Sequence, residues 1–254
     1  MKIGLALSGG GARGIMHLGV IKALAERDIR PHRISGTSAG AISGAMIAHG
    51  YSPDEVLEIL VKANFFRYFR PSFTKMSLLT MEKVENLYAQ HLPHDSFEAL
   101  EIPLTVCTTD IQVGENVFFD SGRLIRPLMA SSCLPGIFEP ILYQKRLLVD
   151  GAVLNNLPIE PLIGKVDFII GSNCNTYPLQ KPITSMASLL ERSLLLSIRS
   201  KTYDRLQKCD LTFEPVEVGK YDIFDIRKAR DIFKIGYQAV VKSKTLLPTI
   251  EKLL

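Results

Sequence analysis

Ile3-Gly4-Leu5-Ala6-Leu7-Ser8-Gly9-Gly10-Gly11-Ala12-Arg13-Gly14 sets the organisation of the chain. The short apolar run from Ile3 to Leu7 reads as a buried strand, and Ser8 with three glycines ends it. From Gly14 to Ala25 the residues Ile15, Leu18, Ile21, Leu24 and Ala25 recur at spacings of three and four, the period of an amphipathic helix. Asp28 to Pro31 closes that helix. A second short strand, His32 to Ser35, runs into Gly36-Thr37-Ser38-Ala39-Gly40 and then a small-residue helix from Ala39 to His49. Pro53 after Ser52, with Asp54 and Glu55 in the first turn, starts another helix.

Working outward, Met81 to His91 reads as a helix. Ile102 to Ile111 and Asn116 to Phe119 read as strands around a turn at Gly114, and Leu147 to Val149 as a short strand ending at Asp150-Gly151. Val166 to Gly171 reads as a strand, apolar apart from Asp167, and Met186 to Lys208 and Ile226 to Lys244 are long helices. Strands alternating with helices predict an α/β fold of three layers, a central, mostly parallel sheet with helices on both faces. No internal repeat or low-complexity linker divides the chain, so one domain is expected over 1–254.

With 46% hydrophobic and 22% charged residues, the 254-residue chain has the composition of a globular protein rather than a disordered one. The net charge of +4 suits approach to an anionic surface but is no nucleic-acid footprint, and no basic cluster with interleaved aromatics accompanies it. Cys107, Cys133, Cys174 and Cys209 form no CxxC pair, which argues against zinc and thioredoxin-type chemistry. Lone cysteines in apolar surroundings fit a reducing cytoplasm. No stretch has the length of a membrane span, so any contact with lipid is expected at the membrane surface.

The loop Gly9-Gly10-Gly11-Ala12-Arg13-Gly14 has two chemical readings. As G-x-G-x-x-G between strand and helix it matches the dinucleotide fingerprint. The same exposed amides and helix N-terminus can instead hold the oxyanion of an acyl-transfer intermediate. A dinucleotide site wants an acidic residue at the end of the second strand, where this chain has Ser35-Gly36-Thr37-Ser38.

Gly36-Thr37-Ser38-Ala39-Gly40 is G-x-S-x-G between a strand and a helix, the context of a nucleophile elbow. The plainer reading is a serine capping the helix that follows. An elbow is usually served by a histidine. The five histidines are His17, His32, His49, His91 and His94, so none follows an acid near Asp150. His49 lies about 16 Å along the helix from Ser38. His17, one turn into the first helix, stays open as a neighbour. Among acids near strand ends, Asp110, Asp120, Asp150 and Asp167 all qualify. Asp150 has an apolar strand before it and a glycine after it, a pattern that also serves simple turn capping.

Taken together, Gly9-Gly10-Gly11-Ala12-Arg13-Gly14, Gly36-Thr37-Ser38-Ala39-Gly40 and Asp150-Gly151-Ala152 resemble the patatin-like phospholipases, with the order and spacing of the bacterial members. His17-Leu18-Gly19-Val20, Ala130-Ser131-Ser132 with Pro135, Asn155-Asn156-Leu157-Pro158 and Gly236-Tyr237 add to the likeness. The resemblance implies a Ser–Asp dyad without histidine, Ser38 as nucleophile and Asp150 as general base. It also implies an oxyanion hole in which the amides of Gly10 and Gly11 donate while Gly9 and Arg13 shape the loop. The implied activity is hydrolysis of a lipid or fatty-acyl ester, with no cofactor or metal. An acyltransferase using the same acyl-enzyme, and a nucleotide-binding protein using the glycine loop, are the competing readings.

Asn64 to Phe73, NFFRYFRPSF, carries aromatic bodies beside Arg67 and Arg70. It suits either a lipid-facing lid or a core segment whose arginines reach water.

Overall fold

The computed structural model describes residues 1–63, 70–72, 77–81, 83–176, 183–184 and 186–244. The aromatic stretch at 64–69 and Phe73 lies outside the described residues. Five strands run parallel through the centre of the main sheet: β1 (Ile3–Leu7), β2 (Arg33–Thr37), β5 (Leu104–Asp110), β10 (Phe168–Ser172) and β11 (Leu211–Phe213). The order across the sheet is β11-β10-β1-β2-β5-β9-β8, with β6 (Glu115–Phe119) also paired to β5. β8 (Ile141–Tyr143) and β9 (Arg146–Asp150) close that edge as an antiparallel hairpin. A small second sheet joins β3 (Arg70–Pro71), β4 (Ser77–Thr80) and β7 (Gly136–Phe138).

Side chains alternate across the strands, and each face has its own core. Leu5, Leu7, Phe168 and Ile170 point into the larger core. Packed on that side are α1 (Met16–Ala25), α2 (Ala39–Ala48), α3 (Pro53–Lys62) and α7 (Ala229–Val241). Two shorter helices, α4 (Val84–His91) and α5 (Ile125–Ser131), extend it towards β9. Ala6 and Ile169 point the other way, into a smaller core with Leu157, Ile159, Leu162 and Leu206. That second face is covered by the turns between Leu157 and Lys165 and by the end of the long helix α6 (Met186–Leu206).

The sequence expectations match these elements to within a few residues, with instructive exceptions. The first helix begins as a tight 3-10 turn over Gly11–Ile15 before α1, because the glycine loop must turn sharply first. α3 starts as expected, on a capping box in which Ser52 and Glu55 exchange side-chain and backbone bonds. No expectation covers α5 or the short strands β3, β4, β7, β8 and β11, which carry too few residues to show a period in the sequence.

α1 and α7 pack so closely that glycine is required on both. A Cβ on Gly19 would stand 2.0 Å from the Phe233 carbonyl oxygen, and one on Gly236 would stand 1.9 Å from that of Met16. This crossing fixes α1, and with it the glycine loop. Gly236→Ala therefore forces the helices apart and is expected to destabilise the protein by at least the roughly 1–3 kcal/mol typical of overpacking. Urea unfolding of the variant beside the parent measures it, and an unchanged midpoint would show that the crossing yields freely.

Candidate active site

Ser38 sits between β2 and α2 with φ 51° and ψ −122°. A residue with a Cβ adopts such angles only where its surroundings enforce them. Here they do. The Ser38 amide donates to Ser131 Oγ at 2.8 Å, and that hydroxyl donates onward to the Cys107 carbonyl at 2.6 Å. Thr37 Oγ1 donates to the Asn155 carbonyl at 2.9 Å. Gly40 lets the first turn of α2 press against β1, since a Cβ there would lie 2.4 Å from the Leu7 carbonyl oxygen. Ser38 makes no side-chain cap to α2, so the plain capping role is not what holds it.

Asp150 ends β9 and is buried. Its Oδ1 accepts the Ala152 amide at 2.9 Å, so the turn-capping role is real. A carboxyl has two oxygens, and capping leaves the other one available. The Ser38 side chain is near enough to act on the group as well. Burial raises its pKa to about 7, against the smaller opposing pull of the Ala152 amide and the Ser38 hydroxyl. The rival acids are elsewhere. Asp110 pairs with Arg146 at 3.4 Å, Asp167 accepts the Lys2 amide, and Asp120 is exposed.

The glycine loop faces the same cavity of about 230 Å³, whose lining includes Gly9, Gly10, Gly11, Ser38 and Asp150. The Gly9 amide donates to the Asn156 carbonyl at 3.2 Å, that of Ala12 to Ile223 at 2.7 Å, and that of Arg13 back to Gly10 at 3.2 Å. Gly11, at φ 57°, is in the left-handed region that favours glycine. Arg13 is buried with its Nε donating to the Tyr221 carbonyl at 2.8 Å, tying the loop to the chain beyond β11.

His17 is buried and both ring nitrogens are engaged: Nδ1 lies 2.7 Å from Ser172 Oγ and Nε2 lies 2.9 Å from the Ser8 carbonyl. A carbonyl only accepts, so Nε2 carries the proton and Nδ1 takes the serine hydroxyl hydrogen. Burial pushes the imidazole pKa down to about 4. His17 thus braces the strand end leading into the glycine loop. Among the described residues that line the cavity there is no histidine.

Away from Ser38 the cavity is apolar, walled by Ile15, Ile42, Leu60, Val84, Leu134 and Phe138 among others. Sequence reasoning did not single out the polar residues at its other end. Asn156 and Asn175 are buried beside the glycines, and their Oδ1 atoms have no hydrogen-bond partner among the described residues. Ser131, Asn155 and Asn156 lie inside stretches noted for resemblance, but their partners are 90 to 150 residues distant, which no local pattern reveals.

Comparison with known proteins adds the family. An uncharacterized NTE family protein of Mycobacterium tuberculosis is 34% identical over 177 residues, covering 68% of this chain and 49% of that protein. Lysophospholipase NTE1 of Mycosarcoma maydis is 33% identical over 172 residues, 64% of this chain and 9% of that one. The chain thus spans about half the length of the mycobacterial relative and a small part of the fungal one. In fold it is similar to VipD from Legionella pneumophila, with a TM-score of 0.56 at 14% identity over 95% of this chain and 66% of that one. The family model for patatin-like phospholipases matches residues 5–163, which contain the glycine loop, Ser38 and Asp150, and the chain belongs to that family.

Proposed function

We propose that this protein hydrolyses lipid acyl esters through a Ser38–Asp150 dyad. The observation that carries the reading is a strained serine beside a buried carboxyl of raised pKa, at the polar end of an apolar cavity. The Asp150 carboxylate takes the Ser38 proton as Oγ attacks the ester carbonyl. Negative charge gathers on the carbonyl oxygen and is met by the amides of Gly10 and Gly11, which the loop's internal bonds leave free for it. The alcohol leaves with the proton and the acyl group remains on Ser38. Water then repeats the attack with Asp150 again as base, which releases the fatty acid. The apolar wall suits the acyl chain. The lysophospholipase named among the relatives makes monoacyl phospholipids the first substrates to assay.

Ser38→Ala is expected to abolish fluorophosphonate labelling and ester turnover while the fold persists. Turnover surviving in that variant would remove Ser38 from the nucleophile's role. Asp150→Asn is expected to be equally inactive but more stable. The folded state holds the Asp150 proton up to about pH 7, whereas the unfolded chain releases it near the ordinary carboxyl value of 3.8. Stability is therefore lost as pH rises between those values and stays low above them. Keeping the carboxylate ionised at pH 8 costs roughly 4 kcal/mol. Thermal unfolding should place Asp150→Asn above the parent at pH 8, with the gap closing towards pH 4. A variant less stable than the parent at pH 8 would contradict the burial argument.

If ionised Asp150 is the base, kcat/KM should rise through a single ionisation near pH 7. A midpoint there invites assignment to a histidine, but His17 titrates near 4. His17→Gln should keep the midpoint while lowering kcat through the disturbed loop. Loss of the ionisation in that variant would make a triad the better account.

A further inference from the structure

Helix α6 turns two sides to different surroundings. Near its end Thr202 and Leu206 are buried, Leu206 in the core of the second sheet face. On the opposite side Met186, Leu189, Leu190 and Leu196 are 44–75% exposed. At about 100° per residue these four fall within an arc of roughly 120°. Ser193, Ser197 and Ser200 share the arc and are exposed too. No charge stands on this face until Asp204, at the point where the helix enters the core. Arg192 and Arg199 run along one edge of the arc, followed by Tyr203, and Lys201 runs along the other.

One point of this face lies beside a strand that carries a cavity residue. A Cβ on Gly136 of β7 would lie 3.7 Å from Leu190 Cδ1, so the first half of α6 abuts the strand whose Phe138 lines the cavity. Exposed Met and Leu side chains interleaved with three serines, with cations on both borders, suit a helix lying in a lipid interface, its aliphatic side chains among the acyl chains and its cations at phosphate level. Among the described residues no helix is long and apolar enough to cross a membrane, so contact of this kind is lateral. The net charge of +4 favours anionic lipid.

We propose that α6 is an interfacial anchor that seats on an anionic bilayer and turns the cavity mouth towards the lipid. The inference rests on reading the cavity as an acyl site, since a water-insoluble substrate is what gives such an anchor its use.

The chain contains no tryptophan, so Leu196→Trp places a single fluorescent reporter on the face. In a Ser38→Ala background, which prevents turnover, vesicles of phosphatidylcholine with phosphatidylserine should shift its emission to the blue, and brominated acyl chains should quench it. Leu189→Glu with Leu196→Glu should weaken vesicle binding by about tenfold per leucine. The same pair should leave hydrolysis of a soluble short-chain ester unchanged, which also shows that the variant folds. Arg199→Glu with Lys201→Glu should erase the preference for anionic over neutral vesicles. An unshifted reporter, or full vesicle affinity in the leucine variant, would overturn the proposal. So would a parent dimer that ignores vesicles and is split by the leucine substitutions, since the face would then join two copies of this chain. Vesicle binding without ester hydrolysis in the Ser38 enzyme would remove the hydrolase reading and leave the anchor standing.

Discussion

The backbone of Ser38 is the constraint on which the site depends. Its φ of 51° with ψ of −122° is a conformation that costs of order 1–3 kcal/mol for a residue with a side chain. It persists only if the neighbours hold it from several directions. The Ser131 hydroxyl takes the Ser38 amide, the Asn155 carbonyl takes the Thr37 hydroxyl, and Gly40 lets α2 close on β1. These partners come from α5, from the chain after β9 and from α2. The strain therefore links three parts of the molecule that are distant in sequence, and it holds Ser38 in the cavity lining rather than on a helix cap.

The segment from Asn155 to Pro158 does most of that linking. The carbonyls of Asn155, Asn156 and Pro158 accept from Thr37, Gly9 and Ser35 in turn. One strap thereby secures the elbow, the glycine loop and the strand between them. It follows within a few residues of Asp150, so the buried carboxyl and the strap belong to one short run of chain. His17 performs the matching task from α1, bonding the Ser8 carbonyl just before the glycines. The histidine that looked like a potential third catalytic member is built into the scaffold, dry and neutral.

What could be read from the sequence follows from how local each cause is. A strand, a glycine loop and a helix announce themselves through periods of two and 3.6 residues and through turn chemistry. The G-x-S-x-G elbow was legible for the same reason. Asp150 could not be separated from Asp110, Asp120 and Asp167 by local pattern, because burial and a neighbouring serine are tertiary facts; only family resemblance selected it. Ser131, Asn156 and Asn175 were not legible as site residues, since their contacts with β2 and the glycine loop span the whole fold. The elements missed were those with least sequence to show. α5 is seven residues long with Pro127 near its start, and β11 is three residues long. On the second sheet face Gly4 lies against Leu162 and Val166 of the turns while Gly171 lies against Leu206 and Cys209 at the end of α6, so turns share the cover there with that helix.

An aspartate of ordinary pKa is a weak partner for a serine hydroxyl, and this is the chief physical objection to a dyad. Burial answers it. The desolvation that lifts Asp150 to about 7 makes its carboxylate a stronger base while leaving a large fraction ionised near neutral pH. A histidine in the same role would meet the opposite effect, since burial drives an imidazole towards acidity, as it does at His17. In a cavity dry enough for an acyl chain, a carboxylate gains basicity from its surroundings where an imidazole loses it. Under the proposed mechanism, the apolar wall that suits a lipid substrate and a carboxylate acting without histidine thus have one cause. The expense falls on folding stability, and the strap and brace around the elbow are what the structure sets against it.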